Sequence, residues 1–253
     1  MSREGFKRFR FSKTGVKVYV RPEYHPALKG IDLSHEDFER KSKEVFGKRH
    51  PNVSGLPKIC SANSEDALTW AYFSPIISMP MKEKQRVLRR FLETALNRQL
   101  EAHFIETLGH AELLFWRGKK KAPFYIPPLT LKYPEANTEV DLTIRLEKAT
   151  IFVEAKHHSE ISMNTTYCKG RDQIIRNVDV GTYYAWTRSL DFYFVLLTTS
   201  ETGRSIDTLN YYKMNPGIIA EKLSHRTDVS ANPNRIAEGL GWTTWDKIMS
   251  PRK

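Results

Sequence analysis

The segment Thr138-Glu139-Val140-Asp141-Leu142-Thr143-Ile144-Arg145-Leu146, a break at Glu147-Lys148-Ala149, and then Thr150-Ile151-Phe152-Val153-Glu154-Ala155-Lys156 reads as a β-hairpin. Both runs alternate as half-buried strands do. In the first, Val140, Leu142, Ile144 and Leu146 oppose Asp141, Thr143 and Arg145; in the second, Ile151, Val153 and Ala155 oppose Phe152, Glu154 and Lys156. Successive strand side chains point to opposite faces, so Glu154 and Lys156 share one. An even-residue loop pairs Asp141 with either Lys156 or Glu154, according to register. Either register gathers two carboxylates and an ammonium at one end of one sheet face. Two close carboxylates repel, and a divalent cation is the usual remedy. Mg²⁺ suits such a place, because it takes one or two carboxylates together with water and substrate phosphate. Lys156 beside them can orient or deprotonate a water, or steady charge on a phosphate. The competing reading is a solvated hairpin face with an ordinary surface salt bridge. Apolar residues directly beside both acids weigh against it.

Asp141, a 13-position step (154 − 141), and then Glu154-Ala155-Lys156 at the end of an apolar strand resemble the PD-(D/E)xK nuclease superfamily. Val140 stands where the Pro of that name would be. The resembling motifs fall within residues 60–200. The resemblance implies an α/β, restriction-endonuclease-like fold, a mixed central sheet flanked by helices. It implies metal binding by Asp141, Glu154 and the backbone carbonyl of Ala155, with Lys156 as the catalytic lysine. Mg²⁺ would be the cofactor, with Mn²⁺ as a substitute, and the activity a Mg-dependent deoxyribonuclease. Some members place a Gln-x-x-x-Tyr helix behind the active site. The stretch Cys168–Val178 reads as a helix beginning near Gly170. In it Gln173 matches that motif, and Asn177 stands at the Tyr position on the same helical face. Arg171 and Arg176 on this segment are candidate phosphate contacts, or else simply meet solvent.

The superfamily also draws an acidic residue from a helix ahead of the hairpin, and three residues compete for the place. The run Glu83–Leu108 carries an apolar stripe of Val87, Leu88, Phe91, Leu92, Leu96, Leu100, Phe104 and Leu108, with Glu93 and Glu101 beside it. Upstream, Ser64 reads as the N-cap of a helix whose first turn holds Glu65 and Asp66, where acids suit the helix dipole. Ser64-Glu65-Asp66 before Thr69-Trp70 also resembles an opening found in bacterial nucleases of this type. The residue types leave Glu65, Glu93 and Glu101 all open.

Charge agrees with a polyanionic partner. Forty Lys and Arg against 29 Asp and Glu give a net charge of +11, which favours and speeds capture of nucleic acid. Bases cluster at Lys7–Arg10, Lys82–Arg90, Lys119-Lys120-Lys121 and Arg252-Lys253. The first cluster interleaves Phe6, Phe9 and Phe11 with its bases, a combination that stacks bases and grips phosphates; a plain basic terminus is the equal alternative. Lys119, Lys120 and Lys121 follow the strand Glu112–Trp116 and open a Pro-rich loop, Gly118–Asn137, long enough to suggest a function.

At 253 residues the chain can bury one large core or two modest ones. Cys60 and Cys168 are too few for a disulfide framework or a cysteine zinc site, which fits a reducing cytoplasm. The basic N-terminus lacks the apolar stretch of a signal peptide. The longest apolar run, Ala67–Met81, is short and broken by Pro75 and Pro80, so no membrane span is expected. The organisation reads as an N-terminal extension over 1–60, a nuclease core over 61–203 and a mainly helical extension over 204–253. A strand is expected at Val16–Val20, a helix near Ser34–Phe46 and a strand at Phe192–Thr198. A turn is expected at Asn232-Pro233-Asn234, ahead of a closing Gly239-Leu240-Gly241-Trp242. Of His157 and His158, only His158 would share the face of Glu154 and Lys156, and a metal role for it is the lesser reading. Tyr183, Tyr184 and Trp186 read as packing residues. The expected function is a metal-dependent DNA endonuclease, with RNA cleavage, exonucleolytic trimming and a homodimer left open. The competing class is a non-catalytic nucleic-acid-binding module on the same fold.

Overall fold

A computed structural model describes residues 8–117, 138–164, 170–226 and 232–250. The chain divides into two compact units, residues 1–78 and 79–253.

In the first unit, β1 (Phe9–Phe11) and β2 (Lys17–Tyr19) pair antiparallel, with Arg10 opposite Val18. The expected strand is thus shorter than Val16–Val20. The tight turn between the two uses Gly15 at φ +79°, a conformation natural to glycine. Helix α1 runs only over Glu36–Ser42, inside the expected Ser34–Phe46. Its cap is His35, whose Nδ1 accepts from Asp37 N at 3.2 Å. Ser34 is committed to Asp32 Oδ1 instead. Helix α2 (Glu65–Ile77) begins as expected, with Ser64 Oγ accepting from Ala67 N at 3.1 Å. Val18, Phe38, Ile59, Cys60, Trp70 and Phe73 are buried in this unit's core. Burial pushes the Cys60 thiol up to about 12, so it behaves as an apolar side chain rather than a nucleophile.

In the second unit the expected single helix over Glu83–Leu108 is two: α3 (Met81–Leu96) and α4 (Ala102–Leu108). The break is Asn97, which takes a left-handed conformation at φ +53° and ends α3. Asparagine tolerates that region better than other non-glycine residues. The apolar stripe runs through the break because α4 buries its own Leu108 and packs Phe104 against Tyr193, ring centroids 5.3 Å apart.

The sheet order is β3-β4-β5-β6-β7, formed by Glu112–Arg117, Val140–Arg145, Ala149–Ala155, Asp191–Thr198 and Leu240–Thr244. The first three pair antiparallel and the last three parallel. The molecule is therefore mixed α/β, with a five-stranded sheet between helices. The β4–β5 connection closes at Leu146 N to Ala149 O, 2.8 Å, leaving Glu147-Lys148 as a two-residue loop. This sets Leu142 opposite Val153.

Helix α5 (Gln173–Trp186) covers one sheet face, where Phe152, Phe194 and Leu196 meet Ile174, Ile175 and Val178. It begins at Gln173, three residues later than the expected start near Gly170, because Asp172 caps it. Around this core lie α6 (Arg204–Met214), α7 (Pro216–Lys222) and α8 (Pro233–Glu238). The expected turn at Asn232-Pro233-Asn234 is the start of α8, with Asn232 as cap and Pro233 in the first turn. Helix α9 (Trp245–Met249) follows β7 directly. Of the three expected packing aromatics, Tyr184 is buried, whereas Trp186 at the end of α5 is 61% exposed. Among the described residues no helix is long and apolar enough to cross a membrane.

Strand β7 corrects the reading of the tail. Its single glycine, Gly241, and Gly239 just before the strand mask its β-character. Gly241 has a packing reason: a Cβ there would lie 2.5 Å from the Ala95 carbonyl oxygen on α3. Gly241 pairs with Val195, while its neighbour Trp242 packs on the α5 side. Helix α3 therefore covers the face opposite α5. Gly241→Ala should destabilise the protein by about 1–3 kcal/mol, the usual cost of overpacking. A urea midpoint equal to that of the parent chain would show that α3 does not seat on this glycine.

Candidate active site

All seven residues of β5 are buried, because it runs between β4 and β6 with helices on both faces. Its carboxyl end is where polar chemistry appears. Glu154 is 3% exposed and Lys156 8%. The main chain of Lys156 continues the sheet by donating from N to Leu197 O at 2.7 Å. Its carbonyl accepts from Trp245 Nε1 at 3.2 Å.

On the other side of β5 the ladder pairs run from Arg145–Thr150 to Leu142–Val153. The ladder stops there, one residue short of Asp141 on β4 and of Glu154 on β5. Asp141 Oδ2 accepts from Ala155 N at 2.8 Å. A carboxylate thus takes the place of a main-chain carbonyl at the end of the ladder. That bond ties Asp141 to the strand carrying Glu154 and Lys156.

The Glu154 carboxylate is the hub. Its Oε1 accepts from Lys156 Nζ at 2.7 Å and from Gln173 Nε2 at 2.5 Å. Its Oε2 accepts from Asn177 Nδ2 at 3.0 Å. A buried carboxylate is tolerated only when paired and hydrogen-bonded, and these three donors meet that requirement. Gln173 is aimed from both ends: its own N donates to Ser162 O at 2.8 Å, and its Oε1 accepts from Ser162 N at 3.3 Å. This orients Nε2 toward Glu154. The cap beneath it is Asp172, whose Oδ1 accepts from Ile175 N at 2.9 Å and whose Oδ2 accepts from Tyr212 Oη. Asn177 was not among the sequence-derived site residues. The signal was its four-residue step from Gln173, which stacks both amides on one helical face.

The three helical acids fall in different units. Glu65 is the first residue of α2 in the N-terminal unit. Glu93 sits on α3, across the sheet from Glu154, where it accepts from Arg89 Nε at 2.9 Å and Leu100 N at 3.3 Å. Glu101 stands exposed at the N-cap position of α4 with His103 Nδ1 3.3 Å away. Neither is joined to the Asp141–Glu154–Lys156 group by a hydrogen bond. Lys119, Lys120 and Lys121 and the loop Gly118–Asn137 lie outside the described residues, as does Cys168. His158 does not continue the strand alternation: β5 ends at Ala155, and His158 is left-handed at φ +57° and exposed. Its ring stacks near His157, centroids 4.0 Å apart.

Arg171 points inward rather than to solvent. Its Nη2 donates to Asp179 Oδ2 at 2.8 Å, and Asp179 is fully buried on α5. His225 Nε2 lies 2.9 Å from the same oxygen, and Arg226 Nη1 donates to Oδ1 at 3.0 Å. Burial pushes the Asp179 carboxyl up, but the His225 hydrogen bond and the Arg171 charge outweigh it and hold the group below its ordinary value. Arg176 is half-buried on α5.

Among the described residues no three His, Cys, Asp or Glu side chains gather as metal ligands. The acids on the end of this hairpin, Asp141 and Glu154, and the Ala155 carbonyl would offer hard oxygens alone. That donor set fits Mg²⁺, which completes its shell with water and substrate oxygens, and does not fit zinc. An ionised carboxylate offers about four acceptor sites; three on Glu154 are engaged here, which leaves room for one further ligand bond. Comparison with family models, curated proteins and solved structures finds no match to this chain.

The Asp179 cluster generates a test by pH. Its folded-state pKa lies below that of an unfolded aspartate, so its stabilisation is complete above about pH 4. It is lost as pH falls through the folded value. Asp179→Asn should cost more than about 3 kcal/mol at neutral pH, because two buried guanidinium groups lose their counter-charge. The gap to the parent chain should shrink below about pH 4. A gap constant across the acid range would show that the charge of Asp179 is not what holds Arg171 and Arg226.

Proposed function

We propose that the chain is a metal-dependent nuclease of the PD-(D/E)xK kind on a restriction-endonuclease-like fold, hydrolysing phosphodiester bonds of DNA with Mg²⁺. The observation that carries this reading is the joining of Asp141, Glu154 and Lys156 at the carboxyl end of β5 by Ala155 N to Asp141 Oδ2 and Lys156 Nζ to Glu154 Oε1. The net charge of +11 supports a polyanionic substrate. Asp141, Glu154 and the Ala155 carbonyl would hold the cation, which when bound supplies Lewis-acid polarisation of a phosphate oxygen. In the reaction one water oxygen forms a bond to phosphorus while one P–O ester bond breaks, yielding a phosphomonoester and an alcohol. Lys156 is the group of this chain that can meet the proton or charge. Its ammonium steadies negative charge developing on phosphate, or in its neutral form it accepts the proton of the attacking water. Gln173 and Asn177 position Glu154 and leave Lys156 to divide its hydrogen bonds between Glu154 and substrate.

One observation favours the second reading, a nucleic-acid-binding module without catalysis. Glu154 is already satisfied by three protein donors, so its role could be to hold α5 to the sheet. Cleavage separates the two. With Mg²⁺ or Mn²⁺ the parent chain should cut DNA, and Asp141→Asn or Lys156→Met should slow single-turnover cleavage by about two orders of magnitude or more. Circular dichroism would confirm the fold of each variant. Affinity for DNA without metal should change little in Asp141→Asn. A parent chain that binds DNA or RNA but cuts neither would leave the binding module standing.

A further inference from the structure

The hairpin of the N-terminal unit turns its aromatic side outward. Val18 is 1% exposed, and its cross-strand partner is Arg10, so the opposite face carries Phe9, Phe11, Lys17 and Tyr19. A sheet that covers a core on one side ordinarily turns polar side chains to water on the other. Here the rings form a row, from exposed Phe11 through half-buried Phe9 and Tyr19 to buried His25: Phe11 to Phe9 at 5.5 Å, Phe9 to Tyr19 at 6.4 Å and Tyr19 to His25 at 5.2 Å, all edge to face. Phe11 is 53% exposed, and Tyr24 nearby is 38% exposed.

Cations accompany the rings. Lys17 Nζ stands 4.5 Å from the Phe9 centroid, and the Arg8 guanidinium 5.6 Å from that of Tyr24. Between residues 8 and 29 the bases are Arg8, Arg10, Lys13, Lys17, Arg21 and Lys29, and the only acid is Glu23. Among the described residues, none of Arg8, Arg10, Lys13, Lys17 or Arg21 has a carboxylate at ion-pair distance. Unpaired cations around exposed rings match a ligand with anionic links and flat apolar faces. Nucleic acid has both. The base faces are accessible only where strands are not stacked in a duplex.

We infer that the outer face of the β1–β2 hairpin binds single-stranded nucleic acid. Bases stack on Phe11 and its neighbours, while Lys17 and Arg8 hold adjacent phosphates. This surface shares no residue with the carboxylate site on β4 and β5, and it needs neither metal nor cleavage.

The test uses the full chain in buffer containing a chelator, so that no hydrolysis occurs. Fluorescence anisotropy would follow binding of oligo-dT and oligo-rU of about twelve nucleotides, within the ~4–16 nucleotide span of stacking modules, and of a duplex of equal length. Phe11 is half in solvent, so Phe11→Ala should fold normally. It should weaken single-strand binding about fivefold or more, the scale of one lost base stack. Duplex affinity should stay unchanged, and Phe11→Trp should retain single-strand affinity. Lys17→Ala should reduce the log–log salt slope by about 0.7, as expected for one phosphate contact on a single strand. The dT and rU arms show whether the sugar matters. Single-strand binding by Phe11→Ala at parent strength would overturn the inference. So would equal losses on single strand and duplex. A dimer that Phe11→Ala dissociates, with nucleic-acid affinity intact, would assign the face to a second copy of the chain instead. None of these outcomes bears on the nuclease reading, because cleavage plays no part in the measurement.

Discussion

The buried charge of Glu154 is the constraint around which the second unit is arranged. A carboxylate at the end of a fully buried strand needs partners, and the interior supplies three from two places. Lys156 comes from the same strand, two residues on. Gln173 and Asn177 come from α5, which is thereby fixed in rotation as well as in position: both amides must face the sheet. Once that face is set, Ile174, Ile175 and Val178 fall on Phe152, Phe194 and Leu196. The polar contact chooses the orientation, and the apolar contacts contribute most of the energy, at roughly 25 cal/mol for each Å² removed from water.

Asp179 imposes a second condition on the same helix. It lies two residues beyond Asn177, and so on a different side of α5, where Arg171, His225 and Arg226 converge on it. Arg171 precedes the helix, and the other two follow α7. One buried acid therefore ties the entry to α5 to a chain segment more than forty residues downstream. The two acids of the helix–sheet layer divide the work. Glu154 sets how α5 meets β5, and Asp179 sets what packs behind α5. Removing either partner set leaves a buried charge, which is more damaging than losing a surface ion pair.

Much of this was legible along the chain, for local reasons. The runs over residues 140–146 and 150–156 are legible as the two strands of a hairpin, but the half-buried expectation fails for β5, which is buried along its whole length. A spacing of two in a strand puts Glu154 and Lys156 on one face whatever the register. Ser64 capped its helix because the hydroxyl, the following acids and the apolar run all agree. What escaped depended on distant contacts. The segment Leu240–Thr244, with Gly241 inside it and Gly239 before it, is a strand because β6 presents an open edge and α3 needs a side chain absent at Gly241. The single helix expected over Glu83–Leu108 failed because helical periodicity survived the interruption at Asn97. Arg171 looked like a surface base because its partner lies eight residues away on an interior face. The choice among Glu65, Glu93 and Glu101 was not readable, since all three occupy plausible helical positions. In the fold Glu93 and Glu101 are engaged with Arg89 and His103 instead.

The position of Lys156 shows how far the site's scaffold extends beyond its motif. A lysine side chain is flexible, and its ammonium can be precise only if its root is held. Here the root is held on both sides of the peptide: Lys156 N by Leu197 O of β6, and Lys156 O by the indole of Trp245. Trp245 is placed by β7, which ends one residue before it, and β7 is in turn placed by its parallel pairing with β6. The tail of the chain thus closes the carboxyl end of the sheet at the lysine, 89 residues from it in sequence. Ligand sites in open α/β sheets commonly form beyond the carboxyl ends of parallel strands. The three parallel strands β5, β6 and β7 make such an end here, with Asp141 brought to it by the antiparallel β4. The antiparallel half of the sheet supplies the second carboxylate, and the parallel half supplies the lysine and the means of holding it still.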